Sequence, residues 1–164
     1  AGIITETEAY NGMQDLACHA HVGKTKRTAV MFGPAGFAYV YFTYGMHWCF
    51  NVVTGEEGYP AAVLVRAIYP QEGFDLISAH RAGIKKIRWT DGPAKLTKAL
   101  SIDKFHNGID LTTRDANLWI EEGIKIKEDD ILVNTRVGLG KTPEPWLSKP
   151  WHFELDSRSF LGGL

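Results

Sequence analysis

Apolar and polar positions alternate from Ile3 to Tyr10, which sets Glu6, Glu8 and Tyr10 on one side of a period-two pattern that stops near Asn11-Gly12. That spacing predicts a strand. Residues 11–36 carry Gly12, Gly23, Gly33, Pro34 and Gly36 and read as loop. Phe37 to Thr43 and Trp48 to Thr54 are rich in aromatic and β-branched residues and predict two antiparallel strands around a Tyr44-Gly45-Met46-His47 turn. Ala61 to Ala67 predicts a buried strand, with Arg66 closing its apolar run. A helix is predicted from about Pro70 to His80, with Phe74, Leu76 and Ile77 on its apolar side and an end before Gly83. A second opens at Asp91-Gly92-Pro93, where Pro93 suits the first turn and Leu96, Ala99 and Leu100 form the stripe. Ile124 to Ile126, Ile131 to Val137 and Trp151 to Leu155 predict further short strands. Strands and helices do not alternate, so the expected fold class is α+β: a single domain with a curved antiparallel β-sheet, surrounding helices and a protruding β-hairpin.

Composition narrows this only a little. With 164 residues, 45% of them hydrophobic, the chain can build one core without staples, and no second domain is needed. Apolar runs are strand-length, such as Ala61 to Val65, so no membrane span is expected. The opening Ala1-Gly2-Ile3-Ile4 resembles the middle of a strand, and upstream residues are expected to be absent from this sequence. Cys18 and Cys49 are too few for a disulfide framework and form no C-x-x-C pair, which makes reduced thiols the default. A net charge of −1 argues mildly against coating of nucleic acid through bulk charge. Local clusters remain at Lys24, Lys26 and Arg27, at Lys85, Lys86 and Arg88, and at Lys95 and Lys98. They fit either one basic face or an ordinary solvated surface.

Chemistry concentrates at a few positions. Glu8 is either a carboxylate of a solvated strand or salt bridge, or a general base that activates water. Arg66 needs an acidic or carbonyl partner, and Glu8 could be it. His19 and His21 form an H-x-H pair, but no further ligands follow at a metal spacing, so no metal site is expected. Tyr10, Tyr41, Tyr44 and Trp48 suit a core or a pocket rim. A Tyr and a Met at a turn tip are unusual, because such positions are solvated; one partner for them is the base stack of a DNA duplex.

Read together, Glu6-Thr7-Glu8-Ala9-Tyr10, His19, Met31-Phe32-Gly33-Pro34, Tyr39-Val40-Tyr41 through Asn51, and Gly92-Pro93-Ala94-Lys95-Leu96 resemble the alkyladenine (3-methyladenine) DNA glycosylase family. Arg136-Val137-Gly138-Leu139-Gly140 and Trp146 to Phe153 extend the resemblance over essentially the whole chain. It departs at Lys26, where the family pattern has proline.

The resemblance implies a base-excision-repair enzyme that flips a damaged purine from double-stranded DNA and hydrolyses its N-glycosidic bond. It implies Glu8 as the water-activating carboxylate, Arg66 as an arginine holding that water, and Val137 as a residue whose carbonyl touches it. Tyr10, His19 and Tyr41 would enclose the base, Asn51 would crowd the 2-amino group of guanine, and Tyr44 would fill the gap in the duplex. Met46, Lys24, Lys26, Arg27 and Lys95 are candidate DNA contacts. No cofactor is expected. A monomer is expected, in the cytoplasm if bacterial and in the nucleus if eukaryotic. The competing reading is a damaged-DNA-binding protein without catalysis. A lyase attacking through a Lys amine lacks a Lys placed beside Glu8, and a zinc deaminase lacks the P-C-x-x-C segment that would join His19 or His21.

Overall fold

The alternation at the start of the chain becomes β1 (Gly2–Asn11), a central strand of a six-stranded antiparallel sheet in the computed structural model, which describes residues 1–156. The aromatic hairpin forms β2 (Ala38–Thr43) and β3 (His47–Val53), and the apolar run forms β4 (Ala61–Pro70). Two short helices follow, α1 (Phe74–His80) and α2 (Pro93–Ala99), then β5 (Ile131–Asn134) and β6 (His152–Leu155). Strand order is β2-β3-β4-β1-β6-β5, so β1 and β4 lie at the centre. The expected α+β class with an antiparallel sheet is what forms.

Period two then sorts side chains between two layers. Ala38, Val40, Phe50 and Val65 face one way and pack with Leu96, Ile102 and Leu111 beneath the sheet. Each fully buried Leu or Ile there contributes roughly 1.5–3 kcal/mol. Tyr39, Val53 and Ala62 face the other way, toward Cys18, Met31 and Phe32 from the glycine-rich loop. The outer edge of β2 is closed by residues 107–110: the Asn107 side chain accepts from Val40 N–H, and Ala38 exchanges backbone bonds with Gly108 and Ile109.

Register shifts interrupt the pairing of the two central strands. Ile4 faces Ile68, Glu6 faces Ala67 and Thr7 faces Val65, which leaves Thr5 and then Arg66 as extra residues. Such bulges re-aim side chains. Arg66 is therefore not the end of its strand, as the apolar run suggested, but a bulged residue in the middle of β4.

Three other boundaries differ from expectation. Pro70 belongs to β4 and pairs with Gly2, because β1 extends far enough to carry its neighbour with it; α1 starts only at Phe74. On that short helix Ile77 is buried, whereas Leu76 is 67% exposed. Ile124 to Ile126 form no strand and pair with none of the six. β5 stops at Asn134 because Arg136 and Val137 leave the sheet for partners on and beside β1.

Candidate active site

One face of the sheet opens into a cavity of about 490 Å³, a volume usual for small-molecule sites. Its floor is built from alternate residues of the four neighbouring strands: Glu8 and Tyr10 of β1, Tyr39 and Tyr41 of β2, Cys49 and Asn51 of β3, and Ala62, Leu64 and Arg66 of β4. Cys18, His19 and Met31 supply one wall, and Val137, Gly138 and Leu139 another.

Glu8 is fully buried, accepts two hydrogen bonds and is ion-paired to Arg66. The Tyr10 hydroxyl donates to Oε2 at 2.8 Å, Val137 N–H donates to Oε1 at 2.7 Å, and Arg66 Nη1 lies 3.2 Å from Oε1. A carboxylate offers about four lone-pair sites, so one on Oε2 is left for a further donor. Arg66 is shared: its Nε donates to Glu6 Oε1 at 2.6 Å, and His152 Nε2 reaches the same oxygen at 2.8 Å. Burial, followed by the neighbouring Glu8 charge, pushes the Tyr10 hydroxyl far above its usual range, so it remains a donor.

The predicted base-enclosing residues meet here. His19 and Tyr41 stand edge to face with ring centroids 4.4 Å apart, and Tyr39 lies 5.4 Å from Tyr41. Asn51 is buried beneath them, its Nδ2 donating to the Tyr39 carbonyl at 3.0 Å. His19 Nδ1 is 3.1 Å from the Tyr39 hydroxyl, and Nε2 is 3.4 Å from Arg27 Nη2. A guanidinium only donates, which assigns the imidazole hydrogen to Nδ1. His21 does not join His19 in a pair of ligands; its Nδ1 turns to the Cys18 carbonyl.

Burial first, then Arg27 and His21, lower the His19 pKa from 6.5 to about 4. The unfolded chain takes up this proton near pH 6.5, the native one only near 4, so stability falls as pH drops through that window. The urea midpoint of His19→Gln is accordingly expected to fall less between pH 7 and pH 5 than that of the parent. Equal pH slopes would show that His19 is not held neutral.

The remaining predicted residues separate by setting. Tyr44 lies at the hairpin tip, lines the cavity mouth and is 83% exposed; Met46 beside it is 65% exposed. Tyr44 has φ +50°, a left-handed backbone that costs a non-glycine residue roughly 1–2 kcal/mol. Lys24 and Lys26 are exposed on their loop. Lys95 is drawn back along α2 to Asp91 Oδ1 at 2.9 Å, and so is partnered within the chain. Val137 meets Glu8 through its amide, whereas the expectation concerned its carbonyl.

Sequence reasoning missed the pair that ties this site together. Arg136 makes two bonds to Asp15, at 2.6 and 3.0 Å, and two more to the carbonyls of Ala9 and Trp146. Both charged side chains are fully buried, and the guanidinium lies between the rings of Tyr10 and Trp151. The neighbourhood of Arg136 to Val137 was the available signal. Tyr39 was missed as well, although it shares the parity of Tyr41.

The profile of the methylpurine-DNA glycosylase family matches residues 1–159. A protein of Carboxydothermus hydrogenoformans is 49% identical over 160 residues, covering 98% of this chain and 81% of its own. One from Ehrlichia chaffeensis is 44% identical over 160 residues, with coverages of 98% and 80%. One from Francisella tularensis subsp. tularensis (strain WY96-3418) is 41% identical over 161 residues, with coverages of 98% and 81%. Each of the three is named, provisionally, a 3-methyladenine DNA glycosylase. With a match over nearly its full length, the chain belongs to the methylpurine-DNA glycosylase family.

Proposed function

We propose that this chain is a monofunctional DNA glycosylase that takes an alkylated or deaminated purine out of double-stranded DNA and hydrolyses its N-glycosidic bond, leaving an abasic site. The observation that carries this reading is Glu8: a fully buried carboxylate fixed by two hydrogen bonds and the Arg66 ion pair, with a lone pair on Oε2 unclaimed among the described residues, at the floor of an aromatic cavity. Purine departure builds oxocarbenium-like charge on the sugar, which an adjacent carboxylate stabilises. The same group takes a proton from the attacking water as oxygen bonds to C1′ and the base leaves with the glycosidic electron pair. Arg66 and the Val137 amide orient Glu8, and Arg66 keeps the paired carboxylates of Glu6 and Glu8 tolerable at close range.

Tyr10, Tyr41 and His19 give the extruded base π-faces on which to stack, and Asn51 meets its edge. Unstacking a base costs a few kcal/mol, and Tyr44 offsets part of this by entering the gap, a role consistent with its exposure and its strained backbone at the tip. Flanking phosphates are held by Lys24 and Lys26 with Met46 in the groove, while Lys95 would have to exchange Asp91 for a phosphate. No helix among the described residues is long and apolar enough to cross a membrane.

The test is single-turnover base release from duplexes carrying one inosine or one 7-methylguanine, with parent and Tyr44→Gly. Release from either duplex by the parent supports the glycosylase. Tyr44→Gly relieves the left-handed strain, so its thermal midpoint stays level or rises, while release falls about tenfold or more because the gap goes unfilled. Tight lesion binding with no release from either duplex would leave a damaged-DNA-binding protein instead.

A further inference from the structure

The loop that carries the first basic cluster is tied in a small knot, and one of its three cations reaches two residues of the pocket wall, Tyr41 and His19. Thr25 N–H donates to Thr28 Oγ1 at 2.8 Å, and the buried Thr28 hydroxyl donates to the Gly23 carbonyl at 2.9 Å. Lys24 and Lys26 stand in solvent. Arg27 is exposed too, but its guanidinium folds against the rim of the cage: its Cζ is 5.1 Å from the Tyr41 ring centroid and its Nη2 is 3.4 Å from His19 Nε2.

Among the described residues no carboxylate pairs with this charge. The carboxylates at the cavity floor are engaged elsewhere: Glu8 by Arg66, Val137 and Tyr10, and Glu6 by Arg66 and His152. Asp15 is consumed by Arg136. Among the described residues Arg27 makes no ion pair, so it brings an uncompensated positive charge and spare N–H donors to the Tyr41 ring and the His19 edge. A neutral His19 does not cancel it.

Two consequences follow for a purine entering the cage. A cationic N-alkylpurine meets a like charge, on a ring whose attraction for cations is already in use. A neutral purine meets a planar donor fork, whose favoured partner on a purine is the O6/N7 acceptor edge. Hypoxanthine keeps both acceptors, whereas 7-methylguanine has lost N7 and carries the charge.

We infer that Arg27 sets lesion choice, favouring neutral purines with an intact O6/N7 edge over cationic alkylpurines; the inference rests on the glycosylase reading above. It separates Arg27 from Lys24 and Lys26, which the sequence grouped as one DNA-contacting cluster.

The experiment compares single-turnover release from two duplexes that differ only in bearing inosine or 7-methylguanine, with parent, Arg27→Gln and Arg27→Lys. The ratio of hypoxanthine to 7-methylguanine release is expected to fall about tenfold in Arg27→Gln, and by a smaller factor of about threefold in Arg27→Lys, which keeps the charge but loses the planar fork. Dividing the two rates cancels any general change in duplex binding. An unchanged ratio in Arg27→Gln, with both affinities weaker and less salt-dependent, identifies a phosphate contact and overturns the inference while leaving the glycosylase intact. Release from neither duplex by the parent would end both readings together.

Discussion

Glu8→Gln is expected to lower base release by about 10²- to 10⁴-fold, the range a positioned general base supplies, while leaving lesion binding within a few-fold of the parent. The amide is nearly the size of the carboxylate and can keep its neighbours. Its oxygen accepts from Val137 N–H and lies beside Arg66 as Oε1 does now, and its nitrogen replaces Oε2, where the Tyr10 hydroxyl can turn and accept. Arg66 retains Glu6, so no unpaired cation is created. What disappears is the negative charge and the proton-accepting lone pair, both of which the bond-breaking step uses. The urea midpoint of the variant is expected to drop by no more than about 1–3 kcal/mol equivalent, the usual cost of weakened buried hydrogen bonds. Single-turnover release, duplex affinity and the urea midpoint measured together separate the three effects. Full activity in Glu8→Gln would remove the water-activating role outright.

How far the residues announced this arrangement depends on the range of the interaction. Glu6, Glu8 and Tyr10 were legible as one side of a strand because period two is local, and all three meet around Arg66 and Glu8. The Tyr44 turn was legible because large apolar side chains at a tip violate turn chemistry. Pairing register was not legible. Whether Arg66 points into the pocket depends on a bulge opposite Glu6, and no pattern inside β4 encodes its partner. Pro70 failed for the same reason, since β1 holds it in a strand that local sequence would end earlier. Arg27 looked like one basic residue among three, and only the Thr25–Thr28 knot distinguishes it. The clearest gap was Asp15 with Arg136, which lie 121 residues apart and carry no mutual signal in a single sequence.

That pair supports the largest stability prediction. Asp15→Ala is expected to cost about 3–5 kcal/mol, because it leaves a buried guanidinium without its counter-charge. Domains of this kind have about 5–15 kcal/mol in total, so the variant should be partly unfolded at moderate temperature. The carbonyls of Ala9 and Trp146 keep two of the four bonds but carry only partial charge, and among the described residues Arg136 Nε has no partner. Asp15 also accepts from the amides of Asn11 and Ala17, so its loss loosens the loop that leads to His19. Removing both charges should behave differently. In Asp15→Leu with Arg136→Met nothing charged is stranded, and much of the stability is expected to return, as for other buried pairs replaced by apolar groups. Base release should not return with it, because Arg136 precedes Val137 and packs against Tyr10, two of the three groups that hold Glu8. Urea midpoints and single-turnover rates on the single and double variants make the comparison. A loss below about 1 kcal/mol in Asp15→Ala would show that the pair is not energetically coupled, and wild-type release by the folded double variant would show that it does not position Glu8.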